Sequence, residues 1–301
     1  MPVVHLALKP GHAVGELAEG EDARAIIAAA VCVREEILTG ALTPLVHGDV
    51  TGRERDQEIA QQIELLRMQR LKRYVIPVET DSGPRILKLR EVTQPWRAVG
   101  TSRARQEHYW HARAQALRIA ATETRGFLEL RRGPWLVRGV QVQTVLSPQL
   151  VSLEEHLRRE IQHHGRAAVD FFAEHLAHAH ELKFFHADLK GFHAFVTDVR
   201  GMSHGPSRYR LLWSDFGRVG FRISSRRRLI NLYQALRFVL PEDAATQRQF
   251  VNRYCKVSGW YRDCPGSAYS RVMRTLERKR RTHPSAPQNP WTHSYDPLGD
   301  S

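Results

Sequence analysis

The stretch from His186 to Arg218 constrains this chain most. It reads His186-Ala-Asp188-Leu-Lys190-Gly-Phe-His193, then two β-prone runs, Phe195 to Val199 and Tyr209 to Trp213, about a Gly-Met-Ser-His-Gly-Pro turn, then Ser-Asp215-Phe216-Gly217-Arg218. Asp188 and Asp215 are 27 residues apart with a predicted hairpin between them. That topology can return the second aspartate beside the first. The segment before it, Arg166 to Leu182, has Val169, Phe172, Leu176 and Ala179 at helical spacing, so the first loop is expected to follow a helix directly.

Upstream, Tyr74 to Val78 and Ile86 to Leu89 alternate as strands, and Thr80-Asp-Ser-Gly-Pro84 is a turn signal, so they predict a hairpin. Arg103 to Ala121 reads as a helix, followed by strand candidates Gly126 to Leu130 and Leu136 to Leu146. Pro148 breaks the second strand, and Leu153 to His163 returns to helical spacing. Leu229 to Val239, Ala244 to Tyr254 and a basic segment, Arg271 to Arg281, are the remaining helices. Before residue 60 the reading is helical, from Asp22 to Leu38 and again from Arg53 to Arg70, with no legible chemistry. Four parts are therefore expected: a helical extension over 1–60, a strand-rich unit over 61–147, a mainly helical unit over 148–282 and a loose tail over 283–301.

Hydrophobic residues at 42% and charged residues at 26% suit a soluble globular protein. No apolar run approaches the roughly 18 residues that span a bilayer, and Met-Pro-Val-Val-His does not read as a secretory signal. Cys32, Cys255 and Cys264 lack metal-ligand spacing and suit a reduced, cytoplasmic protein. A net charge of +13 favours an anionic partner without naming it. Nucleic acid is not favoured, because no zinc finger, RNP-type aromatic pair or leucine zipper accompanies the charge. The run Arg271 to Arg281 is either a solvated helix end or an anchor for anionic lipid.

Three separated pieces fit one mechanism. Lys88 sits inside an apolar strand, where an ammonium is costly unless paired or able to reach water; Glu107 on the next helix is its expected partner. Asp188 and Asp215 supply the other two pieces. Phosphoryl transfer needs one carboxylate to orient and deprotonate a hydroxyl and another to hold Mg²⁺ on the phosphates.

His-x-Asp-Leu-Lys followed by Asp-Phe-Gly resembles the catalytic and magnesium loops of protein kinases. The closer resemblance is to the lipopolysaccharide kinase family, which includes the inner-core heptose kinase and the Kdo kinase. It rests on Ala104-Arg105-Gln106-Glu107, on His193 where protein kinases carry asparagine, on Asn231-Leu-Tyr233 followed by Ala235-Leu236, and on the short basic C-terminal helix. It covers residues 60 to 281 or so. The resemblance implies an α+β, bilobal protein-kinase-like fold with a small β-rich N-lobe and a mainly helical C-lobe. It implies ATP and Mg²⁺ as cofactors, a lipopolysaccharide core glycolipid as substrate with heptose the first choice of acceptor, and a place at the inner face of the cytoplasmic membrane. It points to no required protein partner. Carried over by position, Lys88 contacts the α- and β-phosphates and is held by Glu107. Asp188 is the base, Lys190 neutralises the phosphoryl group in flight, and Asp215 chelates Mg²⁺. His193 is a second metal-side ligand or a donor to phosphate.

Three departures stand beside that resemblance. No Gly-x-Gly-x-x-Gly precedes Lys88. Ala187 replaces the arginine usual between the loop histidine and aspartate, and Arg228 lies near where an acid usually braces that loop. The last two predict lost bracing and leave open a weak or inert binding protein. A protein kinase is the other alternative, although Gly220 to Arg228 is short and basic for a peptide platform.

Overall fold

The computed structural model describes residues 3–8, 11–30, 73–92, 98–146, 150–198 and 209–282. The expected helix over Arg53 to Arg70, the Pro95 loop, the turn near Gly201 and the tail from 283 lie outside these residues. The chain divides into two compact units, Met1–His111 with Glu123–Val145, and Ala112–Thr122 with Leu146–Ser301.

The first unit is built on a six-stranded sheet. Its strands are β1 (Val3–Leu8), β2 (Gly11–Leu17), β3 (Arg73–Thr80), β4 (Gly83–Glu91), β5 (Thr124–Arg132) and β6 (Trp135–Thr144). The order is β1-β2-β5-β6-β4-β3, and every neighbouring pair is antiparallel. The β3–β4 hairpin follows from the period-2 pattern, and Gly83 supplies the positive φ of 98° at its turn. Leu87, Leu89, Leu128, Leu130, Val140 and Val142 face one side and form a core with Ala13, Leu17, Ile26, Ile27 and Ala30.

The N-terminal segment departs from the expected helical extension. Helix occupies only residues 23–30 of its described part, and β1 and β2 extend the sheet beside β5. A Cβ on Gly15 would lie 2.1 Å from the Phe127 carbonyl oxygen, and one on Gly126 would lie 2.1 Å from that of Glu16. Two missing side chains therefore permit this strand contact. Glu21 then fixes the segment, accepting from Arg85 Nε at 2.9 Å and Nη2 at 2.8 Å.

Helix α1 (Arg103–Ala116) lies against the opposite sheet face. The Ser102 amide donates to Glu129 Oε1 at 2.7 Å, and the His108 ring packs 5.4 Å from Phe127. The predicted helix ran to Ala121. It stops early because Arg118 adopts φ 57° and the Leu117 and Ile119 amides both bond to the Ala114 carbonyl.

The second unit is mainly helical: α2 (Leu153–His164), α3 (Arg166–Glu181), α4 (Ser225–Phe238), α5 (Ala244–Ser258) and α6 (Pro265–Thr282). Ser152, Ser224 and Asp243 cap α2, α4 and α5 by accepting from the amides of Glu155, Arg227 and Thr246. The inner face of α3 packs on α5, with the Phe172 and Phe250 rings 5.0 Å apart and both side chains fully buried. Each such burial contributes about 1.5–3 kcal/mol. Two small sheets complete the unit, β7 (Val151–Ser152) with β9 (Ala194–Asp198) and β10 (Tyr209–Trp213), and β8 (Phe185–His186) with β11 (Val219–Gly220). Among the described residues no helix is long and apolar enough to cross a membrane.

Candidate active site

The β9–β10 hairpin does what its position in sequence suggested. It follows α3 and β8 in the chain and brings the chain back so that β11 pairs with β8, Val219 opposite His186 and Gly220 opposite Phe185. Two loops thereby lie side by side, 186–193 and 214–218. Three bonds stitch them: Ala187 N–H to the Arg218 carbonyl at 2.7 Å, Ser214 N–H to the His193 carbonyl at 2.9 Å, and His186 Nε2–H to the Ser214 carbonyl at 2.9 Å. Below them Phe184 packs on Trp213 and Phe216, with ring centroids 5.4 and 5.6 Å away.

Leu189 is fully buried, so the alternation of the backbone turns Asp188 and Lys190 outward, each half-buried. Lys190 Nζ lies 3.4 Å from Asp188 Oδ1. Asp215 adopts the left-handed conformation, φ 49° and ψ 66°. Aspartate tolerates that region better than most residues, and such outliers concentrate where a side chain must be aimed. Its Oδ2 lies 3.6 Å from His193 Nε2.

His193 Nδ1 bonds to the Asp188 backbone carbonyl at 2.6 Å. A carbonyl only accepts, so Nδ1 carries the proton and Nε2 keeps its lone pair toward Asp215. Burial lowers the His193 pKa from its ordinary value, against the opposing pull of that carbonyl and the two aspartates. Asp188, His193 and Asp215 each offer one ligand atom, all within 4.8 Å of one another. Donors around one magnesium ion at about 2.1 Å stand no more than about 4.2 Å apart, so small side-chain rotations would close the set. Two hard carboxylates with one neutral imidazole fit a divalent cation, with the imidazole the weaker ligand for Mg²⁺.

The catalytic-type loop is held from behind by polar side chains of α4. Asn231 and Gln234 on α4 donate to the carbonyls of His186 and Ala187, at 2.5 and 2.8 Å. Asn231 also donates to Gln234 Oε1 at 2.9 Å and accepts from His180 Nε2–H at 3.0 Å. That bond assigns the proton of neutral His180 to Nε2, so Nδ1 accepts from the Tyr254 hydroxyl at 2.6 Å. Tyr254 in turn accepts from Arg228 at 2.8 Å. The expectation that Ala187 and Arg228 leave the loop without a brace is thus corrected. The amides of Asn231 and Gln234 supply the brace, and Arg228 closes the chain of bonds behind it. The available signal was two amides, Asn231 and Gln234, three positions apart among the apolar residues Leu232, Ala235 and Leu236.

In the first unit, Lys88 is half-buried on β4, on the sheet face that carries α1, with Gln141 beside it in register. Glu107 is almost wholly buried, but Arg90, two positions along the strand, is its ion-pair partner at 2.5 Å. The expected Lys88–Glu107 pair is thus replaced by an Arg90–Glu107 pair on the same face. Of the histidines on α3, His180 belongs to the brace, His175 bonds to the Phe171 carbonyl, and His178 is exposed beside Glu181. The side chains of His163 and His164 lie outside the described residues.

No family model and no curated protein matches this chain. Among solved structures, that of WaaP in complex with acyl carrier protein is similar, with a TM-score of 0.51 and 18% identity over 88% of this chain and 98% of that one. The crystal structure of a Toxoplasma gondii rhoptry antigen kinase domain matches more distantly, with a TM-score of 0.37 and 9% identity over 70% of this chain and 80% of that one. The antiparallel sheet with its lysine strand and acid-bearing helix, the paired aspartate loops and the likeness to WaaP agree: the chain has an α+β, protein-kinase-like fold, one unit β-rich and the other mainly helical.

Proposed function

We propose that this protein transfers the terminal phosphoryl group of ATP to a sugar hydroxyl of the lipopolysaccharide inner core, with heptose the first candidate acceptor. The observation that carries the reaction type is the convergence of Asp188, His193 and Asp215 within 4.8 Å beside Lys190. The acceptor class rests on the resemblance of the motifs to lipopolysaccharide kinases, which the likeness to WaaP supports.

In this reading Asp188 accepts the proton of the attacking hydroxyl, so the oxygen reaches phosphorus as an alkoxide-like nucleophile. Lys190 stands next to it, offering a fixed positive charge to the phosphoryl oxygens as charge spreads over them. Asp215 and His193 Nε2 would hold Mg²⁺, which when bound neutralises charge on the phosphates. His193 Nδ1–H keeps the ring oriented through the Asp188 carbonyl. Lys88 is assigned to the α- and β-phosphates. Glu107 acts through Arg90, whose ion pair fixes α1 against the lysine strand. The basic charge suits peripheral association with an anionic membrane surface on the cytoplasmic side. WaaP was solved with acyl carrier protein, so a carrier-protein partner belongs to the same proposal.

The test is incubation with ATP, Mg²⁺ and dephosphorylated core lipopolysaccharide, followed by mass spectrometry, with Asp188→Ala beside the wild type. A gain of one phosphate is expected only with the wild type, and turnover should fall by a factor of at least about 10² in the variant. Equal gain in both refutes Asp188 as the base. No gain in either, with ATP still bound, replaces the enzyme with an inert binding protein.

A further inference from the structure

From Phe216 to Pro241 the chain carries six arginines and no aspartate or glutamate. Two of them have their own explanation in the second unit. Arg228 donates to Tyr254, and Arg237 lies over Phe238. The other four, Arg218, Arg222, Arg226 and Arg227, come from a 3-10 turn, a loop and the start of α4. Several arginines elsewhere sit against carboxylates, such as Arg85 on Glu21, Arg131 on Glu129, Arg253 on Glu174 and Arg280 on Glu242. Among the described residues no carboxylate pairs with any of these four.

Their placement adds to the imbalance. The first turn of α4 holds Arg226 and Arg227 and no acid, where the helix field disfavours cations. Arg227 also spends one donor on the Arg222 carbonyl at 2.6 Å, which draws the two arginine-bearing segments together. Its guanidinium stacks 5.3 Å over Phe185, and a Cβ on Gly220 would lie 3.6 Å from its Nη1. Phe185 and Gly220 are the paired residues of β8 and β11, and the Arg218 carbonyl accepts from Ala187, next to Asp188. The Arg227 guanidinium is therefore fixed to the strands that present the reactive aspartates, and the backbones of Arg218 and Arg222 are tied to the same place. Arg218, Arg222 and Arg226 are exposed to solvent. Like charges gathered against a helix field, without internal counterions, lower stability locally, and such departures from local preference are expected where a ligand supplies what the chain lacks.

We infer that Arg218, Arg222, Arg226 and Arg227 form an anion subsite for the acceptor, which takes a phosphate group carried on a sugar close to the hydroxyl that reacts. The binding of such an anion follows from the charge arrangement. Its role as part of the acceptor site rests on the phosphotransfer reading above. Arginine suits this recognition, since its planar donors bind phosphate oxygens in pairs. Asp188 and Asp215 repel the same anion, so the phosphate is held to the arginine side and only the neutral hydroxyl approaches Asp188.

The experiment is isothermal titration of the full chain with inositol hexakisphosphate, a phosphorylated six-membered ring, in the presence of EDTA so that no metal bridges it to the aspartates. The proteins compared are the wild type, Asp188→Ala, the triple variant Arg218→Gln/Arg222→Gln/Arg226→Gln, and a control on α6, Arg274→Gln/Arg278→Gln. The triple variant should bind at least about tenfold more weakly, the control should stay within about twofold of the wild type, and Asp188→Ala, which removes a repelling carboxylate, should bind at least as tightly as the wild type. Equal weakening in the control, an unchanged triple variant, or no binding by the wild type overturns the inference. A second arm measures co-sedimentation with vesicles of phosphatidylglycerol and phosphatidylcholine. Retained vesicle binding by the triple variant is expected, whereas loss of vesicle binding with sugar-phosphate binding intact assigns the arginines to a lipid surface and also overturns it. Binding without any transfer to core lipopolysaccharide would defeat the proposed activity while leaving the anion site standing.

Discussion

Replacing Asn231 with leucine tests the brace behind the catalytic-type loop. The residue is fully buried, as is His180. Leucine has a similar volume, so the change removes hydrogen bonds without opening a cavity. Three partners lose their bonds at once: the His186 carbonyl, the His180 Nε2–H and Gln234 Oε1. An unsatisfied buried polar group costs about 1–3 kcal/mol. With some relaxation of Gln234, whose side chain is nearer the surface, the total is roughly 3–6 kcal/mol. That is a large part of the 5–15 kcal/mol typical of a whole domain. At about 2–4 °C per kcal/mol for a unit of this size, the melting temperature should drop by roughly 10 °C. Thermal unfolding followed by circular dichroism measures this, and urea unfolding gives the free energy independently. A milder variant, Tyr254→Phe, removes only the hydroxyl between Arg228 and His180 and should cost about 1–2 kcal/mol. A melting temperature for Asn231→Leu within about 2 °C of the wild type would refute the claim that this amide carries the loop.

Acid should weaken the same network. Burial pulls the His180 pKa down to about 4, against the bond to Asn231 that favours the charged ring. The folded state therefore resists a proton that the unfolded chain accepts from about pH 6.5 downward. Stability from this group is fully present above pH 6.5 and is lost as pH falls through about 4, by roughly 3 kcal/mol in all. Urea unfolding at a series of pH values should show a shallower acid slope for His180→Gln than for the wild type, and identical slopes would remove His180 from the account. Gly191→Ala addresses the other side of the loop, where a Cβ would lie 2.5 Å from Glu154 Cβ. The loop must shift away from α2, so turnover is expected to fall at least about tenfold with ATP binding kept, and unchanged turnover would show that the contact yields freely.

The Cys255 thiol illustrates how far burial alone governs chemistry here. Desolvation pushes its pKa up to about 12, which keeps it protonated and unreactive.

Much of this protein was legible one residue at a time. The alternation through Ile86 to Leu89 specified β4 and the face on which Lys88 stands, because a strand's side chains have period two whatever they pair with. The spacing of apolar residues placed α3 and α5, and the turn residues placed the β3–β4 hairpin. Asp188 and Asp215 could be matched as a pair because one hairpin separates them and a hairpin returns the chain to its start. What the tertiary structure decided depends on partners distant in sequence. Nothing in residues 3–17 shows that they would join a sheet, since the pairing of β2 with β5 depends on the close approach that Gly15 and Gly126, more than a hundred positions apart, permit. Lys88 and Arg90 stand on the same strand face, and in the folded protein the ion pair of Glu107 is with Arg90. The brace joins α3, α4 and α5 through His180, Asn231 and Tyr254. Local pattern is written in the near neighbours of each residue, whereas a buried polar group takes whichever partner the packed helices bring to it, because leaving it without one costs more than the difference between partners.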